Sequence, residues 1–332
     1  MRRLLGRAFG ALASLRVAAY RRGLLPRVRL AGPVVSVGNL GVGGSGKTPV
    51  VLRVAEILRD AGEPVAVLSR GYRGSFRGEA LVVSDGSRVL AGAAEAGDEP
   101  VMLARALPGV VVAVGARRDA VGRAVEARFG RRVHVLDDGF QHLRLERDLD
   151  LVCLDARDLE DRPLPAGRLR ERPSALDRAD LVLITRLEAA TEAELAALEA
   201  RLGAGRTLRV GRRVTGWRAL DGRPAPAPAR AFLLAAIARP ERFERDVAAS
   251  GVAVAGRAFF RDHHRFRPGD LAAVTAQARA AGADAIATTA KDAVRLEGLD
   301  PGLPVVVLGI AAELADEARL RERLLAVARR AA

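Results

Sequence analysis

The sequence predicts an α/β protein: a parallel β-sheet covered on both faces, followed by a second, smaller α/β domain. Two observations predict it. Short, continuously apolar runs alternate with helical ones, the pattern of strands buried on both faces between crossover helices. The stretch Ala219-Leu220-Asp221-Gly222-Arg223-Pro224-Ala225-Pro226-Ala227-Pro228 then separates this series from a second one of the same kind.

Taken in order, strands are expected at 34–38, 65–69, 110–114, 133–137, 149–154 and 181–185, with a helix over 48–61 after the first. A second series follows at 232–237, 252–260, 285–289 and 305–308, closed by a helix. The domain reading is a basic amphipathic helix in residues 1–30, a main domain over 31–215, a linker over 216–230 and a smaller domain over 231–332. A cleft between the two domains is the simplest account of this order.

Composition limits the chemistry. The single cysteine, Cys153, lies in an apolar run and reads as a core residue, which excludes a disulfide framework or a cysteine-built zinc site. A formal charge of +14 calls for an anionic partner, whether nucleic acid, anionic lipid or a phosphorylated substrate. No cluster of basic and aromatic residues suggests base stacking, so nucleic acid ranks last. Only two of the 54 basic residues are lysines, Lys47 and Lys291. Arginine replaces lysine on a solvated surface but not where a compact ammonium must fit, which marks both as chemical positions.

The first 30 residues hold eight arginines and no acid. Leu5, Ala8, Leu12, Leu15 and Ala19 recur at helical spacing, with Arg3, Arg7 and Arg21 opposite. No run approaches the ~20 apolar residues of a membrane span. Such a helix suits an anionic membrane surface, and it equally suits packing on the protein's own body.

Gly41-Val42-Gly43-Gly44-Ser45-Gly46-Lys47-Thr48 follows an expected strand and opens an expected helix. That is the phosphate-binding P-loop in its required context, so the sheet is of the P-loop nucleoside-triphosphatase type. Its glycines let backbone amides close on ATP phosphates at a helix N-terminus, Lys47 reaches the terminal phosphates and Thr48 holds Mg²⁺. The strand over 133–137 ends in Asp137 and Asp138, carboxylates suited to Mg²⁺ or simply to a turn at Asp138-Gly139. Gly97-Asp98-Glu99-Pro100 opens a helix, where such residues are ordinarily capping. Arg261-Asp262-His263-His264 offers too few ligands for zinc and fits acid/base work or a surface loop.

These segments add up when joined to Val37-Gly38-Asn39, Leu68-Ser69-Arg70-Gly71-Tyr72, Asp137-Asp138-Gly139-Phe140-Gln141-His142, Leu164-Pro165-Ala166-Gly167-Arg168-Leu169-Arg170-Glu171 and Lys291-Asp292-Ala293-Val294. In that collinear order, over residues 20–295, the chain resembles the tetraacyldisaccharide 4'-kinase (lipid A 4'-kinase) family. The resemblance implies a peripheral enzyme on the cytosolic face of the bacterial inner membrane. It implies transfer of the γ-phosphoryl of ATP, with Mg²⁺, to the 4'-hydroxyl of an acylated glucosamine disaccharide 1-phosphate. The family's catalytic Asp falls on Asp98, its partner His on His263 and its paired acids on Asp137 and Asp138, leaving Glu99 as a further candidate for the metal. No obligate protein partner is evident. Arg73 and Ala236-Ile237-Ala238-Arg239 stand where the family carries glycines. A P-loop ATPase of the partitioning or metal-chaperone type is the alternative, since its phosphate loop has the same form.

Overall fold

The computed structural model describes residues 1–155 and 157–330. Helix α1 (Arg2–Arg21) precedes β1 (Val34–Asn39), α2 (Lys47–Asp60), β2 (Val65–Ser69) and β3 (Leu81–Asp85). Helices α3 (Ala93–Ala96) and α4 (Asp98–Ala106) lead into β4 (Val111–Val114), α5 (Arg118–Phe129), β5 (Val133–Asp137) and β6 (Leu149–Asp155). Next come β7 (Leu181–Thr185), α6 (Glu192–Leu202), β8 (Thr207–Ala219) and β9 (Pro224–Ala225). The chain continues through β10 (Arg230–Ala235), α7 (Pro240–Ala249), β11 (Ala253–Phe259) and α8 (Pro268–Ala280). It ends with β12 (Ala285–Thr289), α9 (Ala290–Arg295), β13 (Val305–Leu314) and α10 (Glu317–Arg330).

Among the described residues the strands form one hydrogen-bonded sheet in the order β11-β10-β12-β13-β8-β7-β6-β1-β5-β2-β4-β3, with β9 alongside β8. Pairing is parallel except at β3/β4, β8/β13 and β8/β9. Both faces are covered, as continuous apolar strands require. Leu151 and Cys153 of β6 pack into the core cluster that holds Val50, Val54 and Leu58 of α2, while Val152 and Leu154 join Leu195 and Leu198 of α6 on the other face. Cys153 is wholly buried, and burial pushes its thiol up to about 12.

The expected linker at 216–230 takes a different form. Residues 216–219 complete β8, and Pro224–Ala225 turns back to pair with Trp217 and Arg218. The antiparallel β8/β13 ladder then carries the sheet from the first series into the second. Helix α10 returns to the first half, where Leu320 and Leu324 share a core with α2 and Arg53 bonds Glu317 at 2.7 Å. Strand β8 escapes a search for apolar runs because its exposed face carries arginine and threonine, the alternation of a half-solvated antiparallel strand.

Helix α1 docks by its small residues. Gly6 and Gly10 are its buried positions, and a Cβ on Gly6 would lie 2.7 Å from Ala166 Cβ and 2.8 Å from the Pro163 carbonyl oxygen. Leu4, Leu12 and Leu15 remain 65–72% exposed, so the leucine face is not what packs on the body. No helix among the described residues is long and apolar enough to cross a membrane.

At the end of β1 the backbone passes close to the turn after β5. A Cβ on Gly38 would stand 2.5 Å from Phe140 Cβ and 2.6 Å from its backbone nitrogen. Neither strand end has room to retreat, since each is paired within the sheet. Gly38→Ala is therefore expected to destabilise the protein by about 1–3 kcal/mol. Urea unfolding measures this, and an unchanged midpoint contradicts so close an approach.

Candidate active site

The phosphate loop is built where β1 stops and α2 begins. Gly46, at φ 76°, turns the chain into the helix in a left-handed conformation that suits glycine. The Thr185 hydroxyl at the end of β7 donates to the Ser45 carbonyl at 2.8 Å, and the Val42 amide donates to Arg168 O at 2.8 Å. Open space surrounds Gly43 and Gly44, and Val42, Gly43 and Gly44 are exposed. Gly41 completes the loop at its buried end. Lys47 Nζ lies 3.0 Å from Asn39 Oδ1 and 3.2 Å from Asp138 Oδ1. Asn39, the only asparagine in the chain, also donates to Gly41 O at 2.8 Å. One amide thus ties the strand end, the loop and the lysine together.

The two adjacent carboxylates at the end of β5 differ sharply. Asp137 is buried and accepts from the Ser69 hydroxyl at 2.9 Å. Burial, reinforced by the charges of Glu99 and Asp138, pushes its carboxyl up to about 6. At Asp138 burial works in the same direction, but Lys47 and Arg170 overcome it and hold the carboxyl below its ordinary value. Arg170 Nη1 lies 2.7 Å from Asp138 Oδ2 and 3.3 Å from Gln141 Oε1. Gln141 in turn donates to Asn39 O at 2.9 Å and to Glu171 at 3.0 Å. Asp138 sits at φ 56°, a left-handed conformation few non-glycine residues adopt, which re-aims it from the strand towards Lys47.

The second cluster forms around Asp98. Gly97 is the N-cap of α4 and Asp98 its first residue, with no side-chain cap hydrogen bond, so the capping reading of this segment does not hold. The carboxylate instead meets His263 Nδ1 at 3.2 Å and Arg295 Nε at 3.2 Å, both contributed by the C-terminal half. Arg295 is 5% exposed and reaches back to the carbonyls of His264 and Ala236. The Tyr72 ring stands edge-on to His263 at 5.9 Å. Glu99 pairs with Lys291 at 3.2 Å and its charge reaches Asp137, so the two clusters adjoin.

His264 stays outside the site, stacked on Phe260 at 4.6 Å and bonded to Asp270 at 2.9 Å. Arg73 occupies φ 64°, the backbone state for which a glycine is suited, and the chain accepts the side chain there. Among the described residues no group of three or more His, Cys, Asp or Glu side chains is arranged to hold a metal. Mg²⁺ asks for less, because it keeps several waters and takes one or two carboxylates with substrate phosphates. Sequence reading did not single out Arg295, or the buried Arg118, whose charge interacts with Asp137 and Asp138. The latter was signalled by a cation at the N-terminus of α5, against the helix dipole.

Comparison with known proteins agrees with this geometry. The family model described as tetraacyldisaccharide-1-P 4'-kinase matches residues 2–329. A tetraacyldisaccharide 4'-kinase of Anaeromyxobacter dehalogenans (strain 2CP-C) is 47% identical, over 96% of this chain and 87% of that protein. One from Geobacter metallireducens is 45% identical, over 85% of this chain and 84% of its own length. The crystal structure of LpxK from Aquifex aeolicus in complex with ATP superposes with a TM-score of 0.80 at 30% identity, covering 98% and 97% of the two chains. A match of this extent decides against the partitioning or metal-chaperone ATPase. The chain belongs to the tetraacyldisaccharide-1-P 4'-kinase family.

Proposed function

We propose that Asp98 takes the proton of the acceptor hydroxyl while Lys47 and the phosphate loop hold the transferring phosphoryl group. The reaction follows from family membership: the chain is an ATP-dependent kinase of the lipid A pathway, acting on the 4'-hydroxyl of a tetraacyldisaccharide 1-phosphate. The observation that carries the assignment is the Asp98–His263–Arg295 contact, which leaves the carboxylate at a helix N-terminus, uncapped and gripped from the far end of the chain. The acceptor oxygen attacks the γ-phosphorus, its proton passes to Asp98, and the bond to ADP breaks. Positioning of the carboxylate by His263 and Arg295 supplies much of its effect.

The residues present fit Mg²⁺. The Thr48 hydroxyl and the Asp137 carboxylate offer hard oxygen donors, with Asp138 and Glu99 as further carboxylates nearby. Asp138 is already engaged by Lys47 and Arg170, and Glu99 by Lys291, which favours Thr48 and Asp137 as the direct pair. Held by Thr48 and Asp137, the ion would supply positive charge beside the phosphates. On this reading the first half of the chain holds the nucleotide and the second brings His263 to the acceptor side.

The exposed leucines of α1, set among the arginines of the first 30 residues, suit an anionic membrane surface, and we place the enzyme on the cytosolic leaflet, where ATP and the lipid substrate meet.

Incubation with labelled ATP and the disaccharide 1-phosphate lipid should label the lipid, and Lys47→Ala should lower kcat/KM by ~10²-fold or more with the fold intact. A folded Lys47→Ala protein with near-normal turnover contradicts the assignment. Leu12→Ser with Leu15→Ser should weaken binding to anionic vesicles and raise KM for lipid while leaving KM for ATP unchanged. Equal vesicle binding by variant and parent would make α1 purely structural. Asp137 gives a pH signature in nucleotide- and metal-free protein. Its folded value lies above the ordinary 3.8, so the native state binds the extra proton and stability falls as pH rises from about 4 to about 6. Asp137→Asn should therefore gain on the parent across that window, by on the order of 3 kcal/mol, and no further above it. A pH-independent difference in urea unfolding rules this out.

A further inference from the structure

Lys291 is one of two lysines in the chain, and the phosphate loop accounts for the other. It lies on α9, four residues before Arg295 and so on the same helical face. Its ammonium is 3.1 Å from His263 Nε2, 3.2 Å from Glu99 Oε1 and 3.6 Å from Asp262 Oδ1. The helix that carries it is firmly seated. The Thr289 hydroxyl caps its N-terminus by accepting from the Asp292 amide at 3.1 Å. Asp292, wholly buried, accepts from the Ala236 amide at 3.1 Å and pairs with Arg295 at 2.8 Å.

An ammonium has donors and no acceptor. The ring nitrogen it touches must therefore accept, which places the proton of a neutral imidazole on Nδ1, the atom that faces Asp98. We propose that Lys291 is a positioning residue that holds His263 neutral in its Nδ1–H form, so that the imidazole donates a single hydrogen bond to Asp98. The proposal rests on the reading of Asp98 as the proton acceptor and deepens it.

Without the ammonium, Nε2 has another partner close by, Asp262 Oδ1 at 3.7 Å. An imidazole between two carboxylates favours its doubly protonated cation, and an imidazolium against Asp98 weakens that carboxylate as a base. The groups around the ring are Asp98 from α4, Lys291 from α9, Asp262 from the ring's own loop and the Tyr72 ring edge from the loop after β2. Arg295 acts on the same Asp98 oxygen as His263 does. Lys291 is thus the cation in direct contact with the ring among the described residues. Its compact head also explains why an arginine-rich chain keeps lysine here, since a planar guanidinium does not fit between one ring nitrogen and two carboxylates in the same way.

Two measurements on the full chain test this. Nitrogen-15 NMR of the histidine rings at about pH 7.5, with His263→Gln to assign the signal, should show protonated Nδ1 and unprotonated Nε2 in the parent. In Lys291→Met the acidic limb of kcat/KM should move up by about one pH unit, so that activity near pH 6 falls ~10-fold further than near pH 9. A parent ring protonated on Nε2, or a Lys291→Met profile superimposable on the parent's, overturns the proposal. If His263→Ala retains the parent kcat, the catalytic reading of the pair fails as well. A crippled His263→Ala beside an unshifted Lys291→Met profile sinks the role of Lys291 alone.

Discussion

Asp98 carries its charge at the N-terminus of α4, and what grips it arrives from 165 residues further along the chain. That contact fixes what the rest of the fold must do. The sheet has to continue through the β8/β13 ladder so that β10 to β12 come to lie beside the nucleotide half. Helix α9 has to be seated by buried Asp292 before Lys291 and Arg295 point at the site. His263 adopts φ 63°, a conformation costly for a non-glycine residue, and its amide is fixed to Ala236 O at 3.0 Å. Strain of that kind persists where surrounding structure over-determines it, and here the surroundings are the strand end and helix that also hold Asp98.

Around the phosphate loop, one charge pattern separates two neighbouring acids. Asp137 is desolvated and close to two other carboxylates, whereas Asp138 has a lysine and an arginine on it. The same residue type thus supplies one carboxyl that burial holds above its ordinary value and one that holds Lys47 in place. The polar chain Arg178–Glu171–Gln141–Asn39 supports this from behind, with Arg178 stacked 3.6 Å from the Phe140 ring centre. Internal ion pairs cancel, so the net charge of +14 lies outside them and says more about the partner than about the fold.

Much of this was legible in the sequence, for identifiable reasons. The apolar strands and the phosphate loop announce themselves because buried parallel strands are continuous and glycine spacing is chemically constrained. The scarcity of lysine pointed to Lys47 and Lys291 before any geometry, and both reach the site. Asn39, the only asparagine, carries the same signal and bonds Lys47. Strands β3, β8 and β9 were hidden because antiparallel, half-solvated strands lack a continuous apolar run. Asp98 read as a cap because local sequence carries no trace of a partner that arrives from the far end of the chain. Arg295 was invisible for the same reason.

The central claim is that Asp98 serves chemistry and not the helix it begins. Asn is nearly isosteric with Asp and keeps the hydrogen bond from His263 while losing the charge that accepts a proton. The direct measurement is kcat for lipid phosphorylation by Asp98→Asn, taken with its melting temperature and with ATP binding. A fall in kcat of ~10²-fold or more, with melting and ATP affinity held near the parent values, is the predicted result. An Asp98→Asn enzyme that turns over at the parent rate would contradict the account.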